Sequence, residues 1–234
     1  MRVTILIWLV ITIISYGKGD AYFTQDPSLS PDGKTILFSY EGDIWKVSSN
    51  GGKALRLTGM ESVESDPLYS PDGKWIAFTG RQQGNANVYL LPLNGGEIKQ
   101  LTYHSADDKV SSWSWDSKYV YFTSSRKNGM VTTYKVSVDG ETPELLFDHY
   151  FDWVHNLVED PNSNKIYFNT SWESFRFPNR KRYKGDFNPN IQSYDFNTSE
   201  YKVLTEYRGK DFFPTVDENG KLYFVSDEAN DEYN

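Results

Sequence analysis

The sequence predicts an all-β chain folded as a β-propeller of four-stranded blades, and three observations predict it. The first is a near-duplicated phrase: "DPSLSPDGKTILF" (Asp26 to Phe38) returns 40 residues later as "DPLYSPDGKWIAF" (Asp66 to Phe78). The second is that the phrase continues in weaker copies. "SPDGK" at Ser30 and Ser70 is followed by "SWDSK" at Ser114, "PNSNK" at Pro161 and "DENGK" at Asp217. After each comes an alternating apolar segment with a Phe at a fixed place, Phe38, Phe78, Phe122, Phe168 and Phe224, spaced 40, 44, 46 and 56 residues apart. A period near 40 residues with several short strands per copy is the signature of propeller blades. The third is composition: 17 Tyr, 14 Phe and 7 Trp make 16% of the chain aromatic, which suits strands and sheet-to-sheet interfaces.

Within one copy, Asp66 to Thr102, each element has a local cause. "DPLYS" is a short inner strand, and "PDG" is a tight turn in which Pro presets φ, Asp bonds the backbone ahead and Gly takes positive φ. "KWIAFTG" is the second strand, "RQQGN" the next turn and "ANVYLLPL" the third strand. "NGG" closes a hairpin onto the outer strand "EIKQLT". A sheet of this size has two apolar faces and cannot bury both alone, so stacking against neighbouring copies is a packing requirement. A β-sandwich also spaces strands closely, but it does not repeat one turn pentapeptide at one phase of each unit. Outside the N-terminal segment no useful length of helical periodicity appears. The expected blades lie near 21–58, 63–102, 108–147, 153–205 and 210–234. The fifth copy stops at Asn234, where the third strand would begin, so about four and a half blades and a fragment of a longer protein are expected.

The N-terminus, "MRVTILIWLVITIIS", sets one Arg before an apolar run too short to span a bilayer comfortably, with small and polar residues following. Residues 1–19 read as a signal peptide and 20–234 as the folded region, which implies export to the periplasm or beyond with no membrane span after cleavage. A net charge of −8 argues against nucleic acid as a partner. The absence of cysteine excludes disulfides and thiolate metal sites.

Catalytic and phosphate-binding motifs are missing: no G-x-S-x-G, no H-E-x-x-H and no phosphate loop. His104 stands beside Asp107 and Asp108 in a polar loop between copies, where a structural role is expected. His149 and His155 bracket "YFDWV" without a third clustered ligand, so no metal site and no cofactor are expected. The acidic tail Asp227, Glu228, Asp231 and Glu232 lacks the spacing of a calcium loop. One stretch departs from the repeat: "SWESFRFPNRKRYKGDFNPNIQSYDF", Ser171 to Phe196, gathers Arg176, Arg180, Lys181, Arg182 and Lys184 in an otherwise acidic chain. Arg180, Lys181 and Arg182 are the candidates for holding peptide carboxylates. No catalytic residue is expected anywhere in the chain.

These segments also carry a resemblance. The SPDG-type repeats are shared by TolB, prolyl-oligopeptidase-type enzymes and tricorn-type proteases. The stretch from "HNLVEDPNSNKIYFNTSWES" through "RKRYKGDFNPNIQSYDFNTSEYKVLT" to "DFFPTVDENGKLYFVSDEANDEYN" is similar to the later blades of the N-terminal propeller of tricorn-type proteases, including secreted bacterial forms. "KRYKGD" and "NIQSYDF" stand where that family has "W-x-x-Y-x-G-G" and "D-I-W-x-Y-D", with Arg180 in place of the Trp and Asp186 in place of the second Gly. The resemblance implies a six-bladed ring, incomplete here, in a multidomain serine peptidase whose catalytic residues lie beyond residue 234. It implies peptides and downstream domains of the same polypeptide as partners, possible homo-oligomerisation, and a non-catalytic gating role for this region.

Overall fold

Each copy of the repeat becomes an antiparallel meander, through short hairpin turns everywhere except one long connection between Thr170 and Ile191 in the fourth copy. The computed structural model describes residues 23–146, 153–178, 180 and 183–228. The first blade comprises β1 (Gln25–Leu29), β2 (Thr35–Tyr40), β3 (Asp43–Ser48) and β4 (Leu55–Arg56), and the second β5 (Glu64–Tyr69), β6 (Trp75–Gly80), β7 (Asn87–Pro92) and β8 (Lys99–Gln100). The third comprises β9 (Asp108–Trp113), β10 (Tyr119–Ser124), β11 (Thr132–Ser137) and β12 (Glu144–Leu145), and the fourth β13 (Val154–Glu159), β14 (Lys165–Thr170), β15 (Ile191–Asp195) and β16 (Glu200–Val203). A hairpin of β17 (Asp211–Val216) and β18 (Leu222–Ser226) follows. Among the described residues there are thus four four-stranded sheets and one two-stranded sheet, each in sequence order. The first strands line up as neighbours, β1 beside β5, β5 beside β9, β9 beside β13 and β13 beside β17. The all-β propeller is as expected, and it is open. The signal peptide expected at 1–19 lies outside the described residues.

The turn pentapeptide owes its recurrence to a small hydrogen-bonded cage. In the first blade Ser30 Oγ donates to Asp32 Oδ1 at 2.7 Å and accepts from the Thr35 amide at 3.0 Å. Asp32 Oδ1 also accepts from the Lys34 amide at 3.1 Å, and Gly33 takes the required positive φ of 70°. Ser70, Asp72 and Gly73 repeat this cage, as do Ser114 and Asp116, with Ser117 at φ 60° in the glycine's place.

The core lies between blades. Leu37, Ile44, Ile76, Phe78 and Tyr89 fill the seam of the first and second. Ala77, Leu90, Val110, Phe122 and Tyr134 are among those filling the next, and Tyr121, Val154, Leu157, Ile166 and Phe168 the third. The recurrent Phe is the centre of each seam: Phe78, Phe122 and Phe168 are fully buried, while Phe224 is 40% exposed. Phe224 differs because β18 has no third strand beside it among the described residues. One element was not foreseen, the short helix α1 (Trp172–Arg176), which opens the insertion in the fourth blade. Ser171 caps it by accepting from the Glu173 amide at 3.2 Å. Five residues make little more than one turn, too few for a helical period to register.

Every first strand carries a one-residue bulge. Pairing slips between Gln25 and Ser28, between Ser65 and Leu68, between His155 and Val158, and between Phe212 and Thr215, and opposite Tyr121 and Phe122 in the third blade. Four of the five bulges hold a left-handed residue other than Gly: Asp26 (φ 51°), Asp66 (53°), Asn156 (51°) and Phe213 (53°). Asp and Asn tolerate this conformation, but a Phe there is strained. Replacing Phe213 with Asn is therefore expected to raise the stability of the chain by about 1 kcal/mol. The urea midpoint checks it, and an unchanged or lower midpoint would show that the contact with Phe212 (5.4 Å between ring centres) outweighs the strain.

Candidate functional site

A bulge frees amides from the ladder, and buried or half-buried amides need acceptors. Here acceptors come from the preceding blade. The Asp66 amide donates to Asp26 Oδ2 at 3.3 Å, and the Val110 amide to Thr79 Oγ1 at 3.0 Å. The Leu157 amide donates to Ser111 Oγ at 3.1 Å and the Phe213 amide to Asn169 Oδ1 at 3.2 Å. These bonds draw the first strands into a wall around an axial channel.

Two cavities with shared lining residues lie along this wall. One, of about 370 Å³, is lined by early residues of the first strands, among them Asp26, Asp66, Lys109 and His155, and by Ser174 and Phe175 of α1. The other, of about 540 Å³, is lined by later residues, among them Leu29, Tyr69, Pro71, Trp115 and Pro214. Both include Pro27, Leu68, Ser111, Asn156 and Phe213, so the bulges form the waist where the two cavities meet.

The first cavity is lined mostly by apolar surface, with a few ionisable side chains set into it. Asp26 Oδ2 accepts from Ser39 Oγ at 3.1 Å as well as from the Asp66 amide, and Asp66 Oδ2 accepts from Ser65 Oγ at 2.9 Å. Burial, and then the neighbouring Asp26 charge, raise the Asp66 carboxyl above its ordinary value. Lys109 stands in the same wall with its ammonium 5.9 Å from the Phe175 ring centre. His155 is buried, and burial lowers its imidazole to about 4, so it is neutral near pH 7.

His155 Nε2 lies 2.7 Å from Ser174 Oγ, which invites comparison with a hydrolytic pair. The Ser174 hydroxyl, however, donates to the main-chain carbonyls of Thr170 and Ser171 at 3.2 and 3.0 Å. Three acceptors, two carbonyls and the imidazole, thus lie within reach of its single proton, and the direction of the His155–Ser174 bond follows the imidazole tautomer. Both side chains are also almost fully buried. The pair anchors α1 over the end of the channel.

The candidates read from sequence take ordinary positions. His104 Nδ1 accepts from the Ala106 amide at 2.9 Å, Asp107 pairs with Arg81 at 3.0 Å, and Asp108 pairs with Arg126. These are loop and seam contacts. Asp227 Oδ1 accepts from the Lys210 amide at 2.7 Å, whereas His149, Asp231 and Glu232 lie outside the described residues. No three His, Asp or Glu side chains gather as a metal site among the described residues. Of the basic candidates, Lys181 and Arg182 also lie outside the described residues. Arg180 sits 3.5 Å from Glu173 Oε1, with its guanidinium 4.5 Å from the centre of the Tyr183 ring. Glu173 is buried, and so is Lys210, whose Nζ lies 3.6 Å from Glu173 Oε2 and donates to the Phe177 carbonyl at 3.2 Å. Burial lowers the Lys210 amine, and Glu173 opposes that shift.

Sequence reasoning passed over the residues at the waist. Their signal was present in the duplicated phrase itself, since Asp26-Pro27 and Asp66-Pro67 open its two copies and Phe213-Pro214 stands at the same phase of the fifth.

Comparison with known proteins agrees with this architecture. A tricorn protease homolog of Streptomyces coelicolor is 33% identical over 89 residues, which is 38% of this chain and 8% of the homolog. The chain therefore spans only a small part of that relative's length. Among solved structures, the tricorn protease superposes with a TM-score of 0.72 at 19% identity, over 88% of this chain and 20% of that one. A putative TolB from Agrobacterium tumefaciens gives a TM-score of 0.72 at 24% identity, over 88% of this chain and 71% of that one. At such identities the two structures speak for the fold. Residues 21–234 match the family described as the tricorn protease N-terminal beta propeller domain, and with almost the whole chain matched, this protein belongs to that family.

Proposed function

We propose that this chain is the non-catalytic propeller of an exported tricorn-like serine peptidase, serving as scaffold and as an access or exit gate for peptides. The observation that carries the reading is the pair of cavities lined by all five first strands around the axis of the open ring. Family membership supplies the context of proteolysis, and the relatives named tricorn protease supply peptides as the substrate class. The apolar run near the N-terminus is the motive for placing the protein in the periplasm or outside the cell. Downstream domains of the same polypeptide, and further copies of it, are the partners this role requires. The basic residues Arg180, Lys181 and Arg182 remain candidates for peptide contact at the rim.

A second reading has its own support. The putative TolB shares the fold over 71% of its chain, and a TolB-like protein-binding module without an attached enzyme is the alternative that this fold also accommodates. A prolyl-oligopeptidase-type propeller is the remaining alternative. The coding sequence following Asn234 separates the three: a second propeller with a PDZ-like domain and serine peptidase core, an α/β-hydrolase domain, or a stop soon after the ring is completed.

The gate itself is tested in the complete polypeptide. Thr215 is exposed and lines the channel. Thr215→Trp narrows that passage and is expected to slow turnover of long peptides severalfold while sparing di- and tripeptide substrates. Equal slowing of long and short substrates, or of neither, would remove the gating role. The isolated chain is expected to hydrolyse neither casein nor short peptides, and turnover that co-purifies with it through successive columns would overturn the non-catalytic assignment.

A further inference from the structure

A third cavity, of about 300 Å³, lies beside the first where the third and fourth blades meet. Its wall includes Asp107 and Lys109 around the start of β9, Thr123 of β10, Trp153 ahead of β13, and Phe175 and Arg176 of α1. Lys109, Thr123 and Phe175 line the first cavity as well, whereas Arg176 belongs to this one.

Three charged side chains line this space, and they do not cancel. Asp107 is already satisfied: Arg81 donates to its two carboxylate oxygens at 3.2 and 3.0 Å, and the Ala86 amide to Oδ1 at 2.8 Å. Lys109 and Arg176 form no ion pair among the described residues, although the chain holds 32 acidic residues against 24 basic ones. Each is held over an aromatic ring. The Lys109 ammonium stands 5.9 Å from the centre of the Phe175 ring, and the Arg176 guanidinium 5.2 Å from that of Trp153. A ring face steadies a cation without taking its N–H donors, so both keep them for an oxyanion. The first cavity holds the opposite charges, Asp26 and Asp66, with Lys109 in the wall that the two spaces share. Those carboxylates repel a third, so an acidic group beside them gains by turning into the side pocket.

We propose that this side pocket binds the carboxylate of an aspartate or glutamate side chain, so that the passage favours acidic peptides. This rests on the reading of the channel as a peptide passage and adds to it a class of sequence. Arg176 offers a planar fork that matches a carboxylate, and Lys109 a second positive charge. At about 300 Å³ the space is at the small end of ligand pockets and suits a single side chain.

The test is a nuclear magnetic resonance titration of the chain that follows the indole N–H of Trp153. The probes are acetyl-Ala-Ala-Glu-Ala-Ala amide, its Gln counterpart, and acetyl-Ala-Ala-Ala-Ala-Ala with a free terminal carboxylate. Parent protein is expected to bind the Glu peptide at least about tenfold more tightly than the other two, the size of one charge-assisted contact. Arg176→Gln is expected to reduce that preference to about twofold or less, and Lys109→Gln provides a second, independent removal of charge. Both residues are exposed, so the two variants are expected to fold as the parent does. No shift at Trp153, equal binding of the Glu and Gln peptides, a preference that survives in both variants, or tighter binding of the free-carboxylate peptide would each overturn the side pocket. The amides of Leu68 and Phe213, which line both axial cavities, report the passage separately. Shifts there with any of the peptides keep the passage when the side pocket fails, and their absence with all three removes the passage as well.

Discussion

Lys210→Met is expected to destabilise the chain by about 3 kcal/mol or more, the usual cost of breaking a buried ion pair from one side. Lys210 is fully buried, and its amine serves both Glu173 and the Phe177 carbonyl. Removing it strands a carboxylate that is itself buried and that keeps, among the described residues, Arg180 at 3.5 Å. Replacing Glu173 with Gln in the same chain removes the stranded charge and is expected to restore a large part of the loss, since apolar or neutral replacements of whole buried pairs are often tolerated. Urea unfolding of the parent, the single variant and the double variant measures this. A single variant as stable as the parent would mean that the pair contributes nothing to holding α1 against the hairpin of β17 and β18.

The second large effect is a pH dependence seated between the first two blades. Glu64 is buried at the start of β5, where Gln82 donates to its Oε1 at 3.0 Å and its Oε2 has no hydrogen-bond partner. Burial, with Asp43 adding its like charge, raises its carboxyl to about 7. Thr58 and Gln82 act in the opposite direction, Arg56 is committed to Asp43 at 2.9 Å, and the nearby Tyr89 hydroxyl is buried without a partner. The folded chain thus keeps a proton that the unfolded chain releases near 4.5. Stability from this group is complete below pH 4.5, declines as pH rises to about 7 and is level beyond, a total of about 3 kcal/mol. Glu64→Gln is expected to remove that decline and to exceed the parent in stability at pH 8 by about 3 kcal/mol, with the two alike at pH 4. Denaturation series at the two pH values check it. Parallel curves for parent and variant would place the proton elsewhere.

Fold and site were legible in the sequence to different depths, for a physical reason. A repeated turn such as Ser30-Pro31-Asp32-Gly33 is local: the hydroxyl, carboxylate and positive φ it needs are all contributed within five residues, so the pattern survives in text. The buried Phe of each copy is equally legible, because alternation fixes which face of the strand it occupies. The channel is assembled from residues some 40 positions apart, and its amides are satisfied across seams, as between Ser111 and Leu157. Only the third dimension reveals those pairings. The helix α1 was invisible for its brevity, and the meaning of Glu173 was hidden because its partner Lys210 stands 37 residues away.

The four seam bonds at the waist answer one recurring need, a freed backbone amide at the same phase of each copy. Each seam answers it with a different side chain, a carboxylate, a threonine hydroxyl, a serine hydroxyl and an asparagine amide oxygen, accepting from the blade that follows. A backbone donor makes no distinction among such oxygens. The inner wall can therefore change its side-chain chemistry from copy to copy while the spacing of its strands stays constant.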